Sequence, residues 1–161
     1  METNVKDTTM ISIKRTDSDN PDFQHLVTEL DKYLAIRNGD TNDFFVQFNQ
    51  IDQIKHVVLV YENEEAVACG AMKAYDPETM EIKRMFVPAA KRGLGLASKV
   101  LEELESWAAE LNYSKCILET GDDMKEAIGL YKKCGFTVIP NYGQYKGVLD
   151  SVCFEKELKS N

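Results

Sequence analysis

The residues best suited to chemistry in this chain lie between Glu81 and Ala97, in the run EIKRMFVPAAKRGLGLA. A strand-like pattern leads into Arg92-Gly93-Leu94-Gly95-Leu96-Ala97 and then directly into a helical pattern. Two glycines let a backbone turn sharply and approach a ligand closely. A helix start presents unbonded N–H groups and the positive end of the helix dipole, a combination that binds phosphate. The charge distribution supports the same chemistry. Residues 83–99 carry five cations (Lys83, Arg84, Lys91, Arg92, Lys99) and no acid, which leaves 14 cations against 27 acids elsewhere. A basic island in an acidic chain points to a small anionic ligand. A tight strand–helix turn with a solvated Lys-Arg pair is the simpler reading of the same spacing.

Two phosphate motifs compete for this stretch. A P-loop is excluded, because no Gly-Lys-Ser/Thr follows the glycines. The dinucleotide fingerprint fits better: Gly93-x-Gly95 follows a strand, and Glu119 ends the next strand, where an acid can hold a ribose. Against it, Ser98 occupies the third glycine position. The leading strand also carries Glu81, Lys83 and Arg84, whereas a central parallel strand should be apolar on both faces.

The elements that must position these residues follow from periodicity. Met10–Lys14 alternates as a strand. Asn20-Pro21 starts a helix, with Phe23, Leu26, Val27, Leu30 and Leu34 on one face and Asn38-Gly39 as its stop. Thr41–Gln53 is ambiguous, with Phe44, Phe45 and Phe48 in a short helix as one option. His56–Tyr61, Ala66–Tyr75 and Met80–Val87 predict an antiparallel meander, with turns at Asn63-Glu64 and Asp76-Pro77. A helix bearing Ala97, Val100, Leu101, Leu104, Trp107, Ala108 and Leu111 comes next, then the strand Lys115–Glu119. Asp123 and Glu126 have capping-box spacing and open a helix closed by Gly135. Phe136–Ile139 and Val152–Glu157 predict two last strands joined by the loop Pro140–Gly147. The order describes one mixed α/β (α+β) domain over residues 10–161, after a loose polar tail over residues 1–9.

Composition narrows the function. A length of 161 residues and 43% hydrophobic content suit a single folded domain. A net charge of -8 argues against a general nucleic-acid or membrane-surface binder. Cys69, Cys116, Cys134 and Cys153 form no C-x-x-C pair and read as buried free thiols. His25 and His56 have no companion at ligand spacing, so no metal is expected. The first residues lack the apolar core of a signal peptide, and the apolar runs are too short to span a bilayer, so a soluble cytoplasmic protein is expected.

At this point the residues resemble a family. Arg92-x-x-Gly95-x-Ala97 at a strand–helix junction resembles the acetyl-coenzyme A signature of the GNAT superfamily of N-acetyltransferases. Its acyl-donor loop has Gln or Arg, two free positions, Gly, one free position, then Gly or Ala. Ala127-Ile128-Gly129-Leu130-Tyr131-Lys132-Lys133-Cys134-Gly135-Phe136 resembles the family's second motif, with its Leu-Tyr and Gly-Phe. Glu119-Thr120-Gly121 and Ile139-Pro140-Asn141-Tyr142-Gly143 further resemble a bacterial subgroup. The resemblance spans about residues 10–158 and is specific from Glu81 to Phe136. One departure is Met124, which stands where the family often has Asn and cannot make the same hydrogen bonds. Thr120 or Asp122 can take over that contact.

The resemblance implies a GNAT-like fold, with a mixed, mostly antiparallel central sheet of six to seven strands flanked by helices. It implies acetyl transfer from acetyl-CoA, as cosubstrate, to a primary amine of a small molecule, amino acid or peptide, directly within a ternary complex. Arg92, Gly93, Leu94, Gly95, Leu96 and Ala97 would hold the pyrophosphate. Met85, Phe86 and Val87 would hold the pantetheine arm through their backbone, and a backbone N–H there would polarise the thioester carbonyl. Tyr131, the position whose family counterpart points at the CoA sulfur, would be the general acid. Glu81, six residues before Val87, would be the general base. Strand alternation predicts Glu81, Lys83, Met85 and Val87 on one face. Glu81 in a structural ion pair with Lys83 is the competing reading. Tyr142 and Tyr145 would either wall a substrate pocket or pack a turn, and the acidic remainder favours an amine by steering. The partners expected are an amine substrate, no nucleic acid and no membrane, with room for a homodimer. A non-catalytic acyl-CoA sensor and a dinucleotide-binding oxidoreductase are the alternatives.

Overall fold

Asn20 starts the first helix by the capping its sequence implies: its side-chain oxygen accepts from the N–H groups of Asp22 at 2.8 Å and Phe23 at 3.3 Å. The computed structural model describes residues 9–38 and 53–159. The expected tail therefore falls almost wholly outside the described residues, as do Gly39 and the segment with Phe44, Phe45 and Phe48. The elements are β1 (Ile11–Thr16), α1 (Pro21–Asn38), β2 (His56–Glu62), β3 (Glu65–Asp76), β4 (Thr79–Phe86), α2 (Leu96–Glu110), β5 (Lys115–Gly121), α3 (Lys125–Lys133), β6 (Thr137–Ile139) and β7 (Ser151–Glu157).

The seven strands form one sheet in the order β1-β2-β3-β4-β5-β7-β6. The meander β2 to β4 is antiparallel, as its short turns require, and β1 pairs antiparallel with β2 across the α1 connection. β4 and β5 are parallel, joined by the α2 crossover, and β7 inserts antiparallel between β5 and β6. This matches the expected mixed, mostly antiparallel sheet flanked by helices.

Val57–Val60 are all fully buried because helices cover both sheet faces. On one face Phe23, Leu26, Val27 and Leu30 of α1 pack on Val57, Leu59, Cys69, Ala71 and Phe86. On the other, Val100, Leu101, Leu104 and Ala108 of α2 pack with Val58, Val60, Met72, Met80, Ile82, Leu118, Tyr131 and Phe154.

Two local expectations are corrected. The N-cap position of α3 is Met124, one residue past Asp123, at φ -86° and ψ 70°. The strict alternation of β4 also breaks. Cys69 pairs with Phe86 while Ala71 pairs with Lys83, so β4 has one extra residue, and Arg84 sits there at φ 61°. This bulge turns Phe86 into the α1-face core, while Met85 and Val87 pack against the α2-face core with Met80 and Ile82. Glu81 and Lys83 therefore do not share a face with Met85 and Val87. Gly70, opposite the bulge, makes room for it: a Cβ there would stand 2.6 Å from Met85 Sδ and 2.6 Å from Val100 Cγ1.

Candidate active site

The pairing of β4 with β5 covers Thr79–Lys115, Met80–Cys116 and Glu81–Ile117 and then stops. Beyond Glu81 the two strands run on without a shared ladder, which opens a cleft in the sheet. Its walls come from β4 (Glu81 to Met85), β5 (Leu118 to Gly121), α3 (Met124, Ala127, Tyr131), α1 (Leu30, Leu34) and Tyr145. Glu81, Met85 and Tyr131, all singled out in the sequence, are thus brought to one place.

Tyr131 is buried, at 7% exposure, with its ring packed edgewise on Phe136 and tilted on Phe154. Burial pushes its phenol well above the ordinary value of ~10, and the charges of Glu119 and Cys134 push the same way. It therefore stays protonated across the neutral range. Glu81 is also buried, and its Oε2 accepts a 2.7 Å hydrogen bond from the Tyr142 hydroxyl. Tyr142 in turn packs edgewise on Tyr75 at 5.3 Å and Tyr145 at 5.6 Å. The loop between β6 and β7 thus both walls the cleft and orients the carboxylate.

The glycine loop lies at the outer end of β4, apart from the cleft walls. Gly93 and Gly95 have φ of 83° and 76°, which favours glycine, and a Cβ at either would meet nothing within 4 Å. Gly95 is the N-cap of α2 and offers no capping side chain, and the space beside its Cα is open. Leu94 is exposed, Leu96 is buried as the anchor of that turn, and Ala97 is half-buried. Arg92 is exposed; its Nε donates to the Val87 carbonyl at 2.9 Å and its guanidinium stacks on Tyr33 at 5.1 Å. Arg92 therefore ties the loop to the end of β4. Phe86 points into the α1-face core and Val87 against the α2-face core, so only their backbone can serve a ligand. Ser98 in the first turn of α2 lies 3.6 Å from Cys134 at the end of α3, which joins the loop to the helix bearing Tyr131.

Three residues at or behind the cleft wall had no catalytic role in the sequence reading. Glu119 entered it as a ribose holder and in the Glu119-Thr120-Gly121 resemblance. It lines the cleft on β5, and its Oε2 accepts 2.7 Å from the Ser151 hydroxyl. Its carboxyl is pushed up to about 7, first by burial and then by the charge of Glu81, against the lowering effects of the Ser151 bond and Lys83. Ser151 and Arg84 complete the set, Arg84 with a side chain only 3% exposed. The signal for Glu119 was its place two residues past Ile117, on the opposite strand face from the core residues Cys116 and Leu118. Met124 and Thr120 line the cleft, whereas Asp122 is exposed and uses its N–H on the Asp150 carbonyl.

The histidines lie elsewhere. His25 is exposed and pairs with Glu29 at 3.3 Å; His56 packs edgewise on Trp107 at 4.7 Å, and burial lowers its pKa. All four cysteines are free, and burial pushes Cys69 and Cys116 up to about 12. Among the described residues no three His, Cys, Asp or Glu side chains cluster as a metal site, and no helix is long and apolar enough to cross a membrane.

Comparison with known proteins agrees with this geometry. Residues 16–136 match the model of the acetyltransferase (GNAT) family. The IAA acetyltransferase of Azospirillum brasilense is 32% identical over 83% of this chain and 88% of its own. The Xenopus tropicalis protein named Probable N-acetyltransferase 14 is 32% identical over 66% of this chain, which spans about half, 52%, of that relative's length. A Klebsiella pneumoniae structure described as an acyl-CoA N-acyltransferase superposes with a TM-score of 0.78 and 26% identity, covering 93% of this chain and 99% of that one. A GNAT acetyltransferase from Elizabethkingia anophelis, solved with acetyl-CoA bound, shares the fold at a TM-score of 0.65 and 20% identity, covering 95% of this chain and all of that one. A parallel β4–β5 pair that opens beyond Glu81, a glycine loop entering α2, and a family match across both are one architecture: the chain belongs to the acetyltransferase (GNAT) family of acyltransferase enzymes.

Proposed function

We propose that the chain transfers the acetyl group of acetyl-CoA to a primary amine, directly and with both substrates bound. The observation that carries this is the cleft beyond Glu81–Ile117, where a buried carboxyl, a half-buried one and a protonated tyrosine meet. The amine nitrogen bonds to the acetyl carbonyl carbon, the carbon–sulfur bond breaks, and the amine proton and the sulfur's missing proton must be handled. Glu81 and Glu119 form the pair that takes the amine proton. The Glu119 carboxyl, pushed up to about 7, is matched as a base to neutral conditions. Tyr142 orients Glu81, and Ser151 orients Glu119. Tyr131 gives its proton to the departing sulfur.

Binding of the donor falls to the loop Arg92–Ala97 for the pyrophosphate and to the backbone of Met85–Val87 for the pantetheine arm. The open space around Gly93 and Gly95 suits that approach. With Val87's carbonyl held by Arg92, an N–H of this strand end is the group that polarises the thioester carbonyl. The acetyltransferase domain in this reading covers residues 10–161. Four free thiols suit a reducing, cytoplasmic compartment.

The test is thiol release from acetyl-CoA across a panel of amines, amino acids and peptides, beside melting with CoA and with NAD. Ligands that bind the native state alone raise its melting temperature. CoA is expected to raise it and NAD to leave it unchanged. Stabilisation by NAD alone overturns the reading. Stabilisation by CoA without thiol release for any amine leaves an acyl-CoA sensor in its place.

A further inference from the structure

The α1 side of the cleft carries charges of both signs, and one of them is poorly compensated. Arg84 has a side chain 3% exposed, and its Nη1 donates to a carboxylate, Asp31 Oδ1 at 2.9 Å. That aspartate side chain is itself 50% exposed, so much of its charge is spent on water. Among the described residues Arg84 Nε is buried with no hydrogen-bond partner. A buried donor left unbonded costs the full desolvation of the group, and more when it is charged. The backbone pays as well, because a non-glycine residue at φ 61° is disfavoured.

The bulge explains where that cost is directed. In a regular strand Arg84 would share the face of Met80 and Ile82 and enter the α2-face core. The extra residue turns it, directly after Lys83, onto the α1 side, where it lines the cleft with Leu30 and Leu34. Glu81 and Glu119 line the same cleft nearer its apex. Anionic groups at one end and a guanidinium at the other form a dipolar site.

Building on the acetyl-transfer reading, we propose that the acceptor is a free amino acid, with its amine at Glu81 and Glu119 and its carboxylate on the Nε edge of Arg84. A guanidinium matches a carboxylate in geometry as well as in charge. The acceptor's carboxylate supplies the missing partner of Nε, and Leu30, Leu34 and Tyr145 offer apolar contact to its side chain. Arg84 is thus a specificity residue and takes no part in proton transfer.

The experiment measures thiol release from acetyl-CoA with α- and ω-amino acids, their carboxamides and the matching decarboxylated amines. Free acids are expected to exceed both analogues by about 10²-fold in kcat/KM, since removing one partner of a buried charged pair has an effect of that order. Arg84→Gln is expected to bring the ratio of kcat/KM for free acids over carboxamides close to one, chiefly by raising KM for the free acids. Asp31→Asn keeps the guanidinium and removes its competitor, so KM for free acids should fall severalfold while that for carboxamides holds. This second variant decides the matter if Arg84→Gln folds poorly. Equal rates for acids and carboxamides, or equal losses for both in the variants, overturn the proposal. So does a protein that CoA stabilises but that acetylates no amino acid, an outcome that leaves the acyl-CoA reading standing. A protein that CoA does not stabilise removes the underlying reading and this inference with it.

Discussion

The Tyr142 hydroxyl donates to Glu81 Oε2 at 2.7 Å, linking the β6–β7 loop to the residue where β4 and β5 part. Tyr142→Phe keeps the ring contacts with Tyr75 and Tyr145 and removes this one bond. A hydrogen bond to a charged group contributes about 1.5–3 kcal/mol. The variant should lose stability on that scale and lose kcat by about 10-fold, with the CoA-induced melting shift intact. An unchanged kcat would show that the loop only closes the cleft.

Glu119 predicts a pH dependence with a definite sign. Its carboxyl titrates at about 7 in the folded chain, raised from 4.5 mainly by burial. Between those values the folded state holds a proton that the unfolded state releases, so stability falls as pH rises from about 4.5 to 7. Glu119→Gln removes this loss. The variant should be more stable than the parent at pH 8, by up to ~3 kcal/mol, with the advantage vanishing toward pH 4.5. Its rate should fall by about 10²-fold or more if the carboxyl accepts the amine proton, and the acid limb near pH 7 should disappear. Denaturant melts at several pH values and a pH–rate profile check both.

Glu81→Gln acts on the same limb from the other side. It removes the negative charge that helps raise Glu119, so the midpoint of the acid limb should move below about 7. The rate at its plateau should fall by roughly 10²–10⁴-fold, with CoA binding unchanged. A midpoint that stays in place would separate the two carboxyls.

Tyr131→Phe should fold and bind CoA as the parent does, because its ring packs on Phe136 and Phe154 without the hydroxyl. Loss of the proton donor should lower the rate by about 10–10³-fold, a loss confined to the transition state. A lower melting point with an unchanged rate would make the hydroxyl a structural group.

Gly70→Ala tests the bulge. The added Cβ would overlap Met85 Sδ and Val100 Cγ1, both at 2.6 Å, and crowd Leu104. Overpacking of this kind costs about 1–3 kcal/mol, and for a domain of this size each kcal/mol lowers the melting temperature by roughly 2–4 °C. The strand end Met85–Val87 should shift with it, so the variant is expected to bind CoA more weakly as well as to melt earlier.

The sequence by itself determined what depends on neighbours along the chain. Asn20-Pro21 capped a helix, the turns of the meander ordered three antiparallel strands, and Gly93-x-Gly95 marked the strand-to-helix turn with its positive φ values. Local sterics and periodicity decide those features, and both are written in residue order. The tertiary structure decided what depends on partners far apart. Arg84 inverted the alternation of β4 where Gly70 on β3, lacking a Cβ, leaves room for both Met85 and Val100 of α2, a contact with no trace in the strand's own pattern. Glu119 acquired its raised pKa from burial and from the charge of Glu81, 38 residues away, against the lowering pull of the bond from Ser151, 32 residues away. Tyr142 met Glu81 across 61 residues. Motifs name the residue types a reaction needs, but desolvation and charge coupling arise only when packing brings distant carboxyls into one dry cleft.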